Sequence, residues 1–134
     1  MSQPDIRKIE RLLSDFAWLA DCGDGTSLAQ LFLPDAFLVV GGVRLVGRAE
    51  IAEDCRRRAL DLQRKTRHVW SNLRVDKEVD GAIVGKSVQL TFEQTGANGT
   101  KLRISDIFDQ YQVDFFGTWR FKSRIIERQM ALEL

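Results

Sequence analysis

Apolar residues recur at steps of three and four from Ile6 to Ala20, through Ile9, Leu12, Leu13, Phe16 and Leu19. That spacing predicts an amphipathic helix over about 4–21, opened by Pro4 and stopped by Gly23. A short second helix is expected over about 26–32, ended by Pro34. Phe37-Leu38-Val39-Val40 and Val43-Arg44-Leu45-Val46 then flank Gly41-Gly42. Two strand-like runs joined by two glycines predict a tight hairpin, because both turn positions favour positive φ. A third helix is expected over about 49–64, with Ile51, Ala52, Cys55, Ala59, Leu60 and Leu62 as its stripe. Four long strands follow, over about 66–79, 82–94, 101–115 and 118–128. Asp80-Gly81, Asn98-Gly99 and Gly117 mark the turns between them.

Helices first and a long meander after them imply an α+β fold rather than a parallel α/β sheet. Strands of this length must twist, so the sheet should present a concave face. Three helices cover such a face incompletely and leave a pocket between them, expected to be mostly apolar. The strands also alternate apolar residues on both faces, as in Val84, Val88, Leu90 and Phe92 against Ile83. An uncovered apolar face predicts a homo-oligomer, a dimer or a trimer.

The chain has 134 residues, which suits one domain spanning 1–134. Twenty basic residues against 19 acidic ones give a formal charge of +1, so bulk charge attracts neither nucleic acid nor an anionic membrane. The run Arg56-Arg57-Arg58 reads as a solvated helix face. Cys22 and Cys55 are the only cysteines and have no zinc-ligand spacing. They read better as small core residues in a reducing compartment than as a disulfide. The charged first twenty residues do not fit a signal peptide, and no apolar run approaches membrane-spanning length, so the expected setting is cytoplasmic. With no phosphate-binding glycine loop, nucleophile elbow or metal triad, neither cofactor nor metal is expected.

Two residues stand out as candidate chemistry. Asp21 shares a helical row with Leu13 and Ala17, so it should border the pocket, where apolar surroundings disfavour its charged form. It reads either as a general base or as a helix-end residue that hydrogen-bonds the next turn. His68 is the only histidine. Strand alternation places His68, Trp70 and Asn72 on one face and Val69, Leu73 and Val75 on the other. It reads either as the acid–base partner of Asp21 or as a hydrogen-bonded core histidine.

Several segments in order resemble the SnoaL-like branch of the nuclear-transport-factor-2-like superfamily. They are Phe16-Ala17-Trp18-Leu19-Ala20-Asp21, Leu31-Phe32-Leu33-Pro34-Asp35, Thr66-Arg67-His68 with Ser71-Asn72, and Gly117-Thr118-Trp119-Arg120-Phe121. The resemblance implies a cone-shaped fold with three N-terminal helices on a curved antiparallel sheet. It also implies that Asp21 and His68 match the catalytic acid and histidine of the family's dehydratases. Phe16 stands where those relatives carry a tyrosine, which removes a hydroxyl able to polarise a carbonyl. Phe16, Trp70, Asn72, Asp106 and Phe108 are the expected substrate contacts. Asp106 faces either the pocket or solvent, since alternation in 104–113 leaves both open, and Glu93 reads either as an edge charge or as a second pocket acid.

The expected ligand is a hydrophobic small molecule. The implied activity is cofactor-independent dehydration, isomerisation or cyclisation. The alternatives are a non-catalytic binding domain, or an assembly partner similar to the small subunit of ring-hydroxylating dioxygenases.

Overall fold

A computed structural model describes residues 5–77, 82–97 and 99–134. The expected turn at Asp80-Gly81, Pro4 and Asn98 lie outside the described residues. Helix α1 (Ile6–Cys22) is capped at its start by Asp5, whose carboxylate accepts the Arg7 backbone N–H at 3.0 Å. Gly23 ends it with φ 74°, and its N–H reaches the Leu19 and Ala20 carbonyls. A Cβ on Gly23 would stand 2.6 Å from that of Ala59, so only glycine fits here. Helix α2 (Gly25–Ala29) is shorter than expected, because Phe32 already begins strand β1 (Phe32–Val40). Pro34 therefore lies in a strand and does not end a helix. It is tolerated because the pairing of β1 skips between Phe32 and Phe37, so no ladder hydrogen bond is missing there.

Gly41 and Gly42, with φ of 59° and 75°, turn β1 into β2 (Val43–Val46) as the sequence predicts. Helix α3 (Gly47–Arg58) stops six residues before its expected end. Leu60 and Leu62 consequently leave the helical stripe and are exposed. Four long strands follow: β3 (Arg64–Lys77), β4 (Ile83–Thr95), β5 (Thr100–Val113) and β6 (Trp119–Glu133). The sheet order is β2-β1-β6-β5-β4-β3. The meander is antiparallel as expected, but β1 runs parallel to β6, a pairing that no local turn dictates.

Opposite faces of the sheet differ in chemistry. The core gathers on the concave side, where Ile9, Leu13 and Phe16 of α1 meet Phe32, Ile51, Tyr111 and Phe121. Phe16, Phe32 and Phe121 pack mutually edge-on or tilted, with centroids 4.9–6.3 Å apart. The concave residues of β4 are mostly small or polar: Gly85, Ser87, Gln89 and Thr91, all buried. Val84, Val88, Leu90 and Phe92 point to the convex side, where no helix among the described residues packs extensively against β4.

A buried polar cluster interrupts the core. Arg124 is 0% exposed and donates to Asp109 at 2.9 Å, while the Tyr111 hydroxyl donates to the same carboxylate at 2.8 Å. The guanidinium also lies over the Phe16 ring, 4.4 Å from its centroid. Burial pushes the Asp109 carboxyl up to about 6, against the pull of Arg124 and the tyrosine hydrogen bond. Burial and the neighbouring carboxylate hold the Tyr111 phenol above its usual range. Gly85 lets the tyrosine pass, since a Cβ there would meet its ring at 2.7 Å.

Candidate active site

Asp21 sits in the last turn of α1, in the same row as the buried Leu13 and Ala17. That row packs on β3, so the carboxylate reaches the strand backbone. Asp21 Oδ1 lies 2.6 Å from His68 Nδ1 and accepts the Thr66 hydroxyl at 3.0 Å. Its Oδ2 accepts the His68 backbone N–H at 3.2 Å. One carboxylate thus fixes both the ring and the main chain of His68. The neighbouring Trp70 Nε1 donates to Ser14 at 3.0 Å and pins the same strand to the same helix.

The electrostatics reverse the sequence expectation for Asp21. Burial does push its carboxyl upward, but the His68 ring, the His68 backbone N–H and the Thr66 hydroxyl together outweigh burial. The carboxyl is held below its ordinary value. Asp21 is therefore an anion that orients His68 through Nδ1, not a carboxyl poised to accept protons. Among the described residues, Nε2 has no hydrogen-bond partner. That leaves Nε2 as the ring nitrogen able to meet a ligand.

Asp21 and His68 both border a cavity of about 670 Å³, open at one side. Phe16, Leu28, Leu38, Ile51 and Ile126 form its apolar lining. Gln89, Thr91 and Ser105 line the sheet wall. Arg58, Arg64, Glu93, Arg103 and Arg128 add charge, so the cavity is amphipathic and not mostly apolar as expected. Of the two readings of Glu93, the cavity carboxylate is the one the structure shows. It takes Arg64 at 3.0 Å and Arg103 at 3.1 Å, and these partners hold its carboxyl low despite the opposing effect of burial.

Of the five expected substrate contacts, only Phe16 lines this cavity. Trp70 borders a second, shallower hollow shared with Asp21 and His68. Asn72 does not share the face of His68 as expected. It is the extra residue of a β-bulge between Ser71 and Arg74, with φ 56°, and is exposed. The bulge reverses the alternation, so Leu73 and Val75 turn inward to the core instead of standing opposite His68. Asp106 pairs across from Val88, and Phe108 from Lys86, both on the convex face. The cavity-facing residues of β5 are their odd-numbered neighbours Arg103 and Ser105. Cys55 is buried, but Cys22 is exposed at the cavity and not in the core.

The curved open sheet, three helices and cavity at their junction define the nuclear-transport-factor-2-like cone. The chain belongs to the SnoaL-like domain family, whose model matches residues 2–125. Among solved structures it is similar to a scytalone dehydratase-like protein from Novosphingobium aromaticivorans. That match has 23% identity and a TM-score of 0.84, covering 96% of this chain and 87% of the other. LinA is similar at 20% identity and a TM-score of 0.84, covering 96% and 88%. A protein from Catenulispora acidiphila in complex with S-DNPA is similar at 19% identity and a TM-score of 0.80, covering 92% of each chain. No curated protein matches the sequence. At these identities the likeness speaks for the fold and leaves the chemistry to the site.

Proposed function

We propose that this protein is a cofactor-independent acid–base enzyme, of lyase or isomerase type, acting on a small hydrophobic molecule in the cavity. The observation that carries this reading is the 2.6 Å contact between Asp21 Oδ1 and His68 Nδ1 at the cavity wall. His68 takes a proton at Nε2 from a carbon beside a carbonyl. The ionised Asp21 stabilises the resulting imidazolium, as a carboxylate partner does in other histidine-based sites. In a dehydration, His68 then returns the proton to the departing hydroxyl. In an isomerisation, it returns the proton to another carbon.

Polarising the substrate carbonyl needs donors that Phe16 does not supply. Gln89, Thr91 and Ser105 line the same wall and are the groups placed to take that role. Phe16 also favours a second reading, a binding domain or assembly partner without turnover. Its ring packs as a core residue against Phe32 and Phe121.

The convex face fits a homodimer. Val69, Phe108, Met130 and Leu132 are each more than 40% exposed on it. The two free cysteines fit a reducing, cytoplasmic setting.

The test is turnover of a panel of cyclic β-hydroxyketones, followed for water loss and for exchange of the α-proton with solvent deuterium. The enzyme reading expects at least one substrate to exchange or eliminate with wild type and not with His68→Ala. Binding without exchange anywhere in the panel leaves the second reading.

A further inference from the structure

The concave side of the sheet carries a ladder of side chains whose order follows from the strand register. His68 pairs with Thr91, and Thr91 with Arg103, so these three form one row across β3, β4 and β5. The next row runs Gln89, Ser105, Arg128 across β4, β5 and β6. At about 4.8 Å per strand, Arg103 stands roughly 10 Å from His68 along its row. All of these residues line the cavity.

Charge on this wall is unbalanced. Arg64 and Arg103 share the single carboxylate of Glu93. Arg128 has no ion-pair partner among the described residues. Three guanidinium groups against one carboxylate leave two positive charges on the wall. Elsewhere in the lining Asp54 is paired with Arg57 and Arg58, while Asp21 and Asp61 accept hydrogen bonds from His68 and the Gln63 backbone N–H and keep their negative charge, so the positive excess is local to the stretch of wall that holds Arg64, Arg103 and Arg128. Arg103 uses one terminal nitrogen on Glu93 and keeps further donors for a second anion.

We infer that the substrate carries a carboxylate, bound between Arg103 and Arg128, with its apolar body reaching past Thr91 to His68. The inference rests on the cavity being the site of His68 chemistry, and it adds the charge of the molecule that enters. The spacing matches a bicyclic ring system, whose length spans two strand separations. The apolar lining from Phe16, Leu38, Ile51 and Ile126 then covers the ring.

His68 is the only histidine, so its ring protons are an unambiguous reporter in proton NMR. The probes are 2-naphthoate and its methyl ester, titrated at low salt while the His68 signals are followed. Both compounds are expected to shift those signals, the acid with a Kd about tenfold lower or less, as a charge-assisted hydrogen-bonded pair implies. Raising the salt narrows the gap. Arg103→Gln and Arg128→Gln each reduce the preference, and the double variant removes it without weakening the ester. Arg128 is exposed, so Arg128→Gln keeps the test valid should Arg103→Gln fold poorly. Equal affinity of acid and ester, or a preference that survives the double variant, overturns the inference and leaves the His68 reading intact. If neither compound disturbs His68, both readings fall.

Discussion

Asp21 holds His68 at two points, the ring Nδ1 at 2.6 Å and the backbone N–H at 3.2 Å. A single carboxylate at a helix end therefore sets both the rotamer of the ring and the position of the strand that carries it. Removing it has two separable effects, one on chemistry and one on stability.

The chemical effect is tested by substitution. His68→Ala and Asp21→Asn are each expected to lower the rate of the chemical step by about 10²-fold or more. Asp21→Asn keeps the shape of the side chain, so the fold should persist, as circular dichroism would show. Steady-state kinetics decide the matter: a rate unchanged by both substitutions removes His68 from the mechanism.

Stability should follow the titration of Asp21. Its folded carboxyl lies below the ordinary value of 3.8, so its stabilising contribution is fully present above that pH. The contribution is lost as pH falls through the lower, folded value. Thermal melts of wild type and Asp21→Asn should differ at pH 6 and converge as the solution is acidified beyond the ordinary carboxylate range. A difference that widens on acidification contradicts this.

The Arg124–Asp109 pair is wholly buried, with Asp109 Oδ1 and the Arg124 Nε and Nη2 atoms lacking partners among the described residues. Asp109→Leu alone strands a buried cation and is expected to cost about 3–5 kcal/mol. The double variant Asp109→Leu with Arg124→Met should recover most of that loss, because an apolar replacement no longer needs a counter-ion. Urea unfolding of both variants checks the non-additivity.

Gly85→Ala should destabilise by about 1–3 kcal/mol, a usual cost of overpacking. The new Cβ would press on Tyr111 at 2.7 Å and disturb its hydrogen bond to Asp109. Wild-type stability on chemical unfolding would show that the ring can move aside.

Oligomerisation is tested at the convex face. Phe108→Lys and Met130→Lys place charge on exposed apolar positions, 42% and 53% accessible in the single chain. Sedimentation at micromolar concentration should show a dimer for wild type and a monomer for the double variant. A wild-type monomer ends the dimer reading.

The sequence by itself determined the helical face of α1, the glycine hairpin and the meander. These depend on short-range patterns: steps of three and four, alternation, and turn residues that accept positive φ. Family resemblance supplied the link between Asp21 and His68, 47 positions apart, which no local pattern contains.

The tertiary structure alone decided the rest. The bulge at Asn72 reversed the facing of the residues after it, and an extra residue in a ladder has no mark in alternation alone. Asp106 and Phe108 went to the convex face because their cross-strand partners, Val88 and Lys86, are there. Glu93 became a cavity anion only when Arg64 and Arg103 arrived from the neighbouring strands. Asp21 is held as an anion because three donors from β3 outweigh the burial that its sequence context emphasised. Strand facing and the charge state of a buried group are both set by neighbours distant in sequence. A period read along one segment cannot contain them.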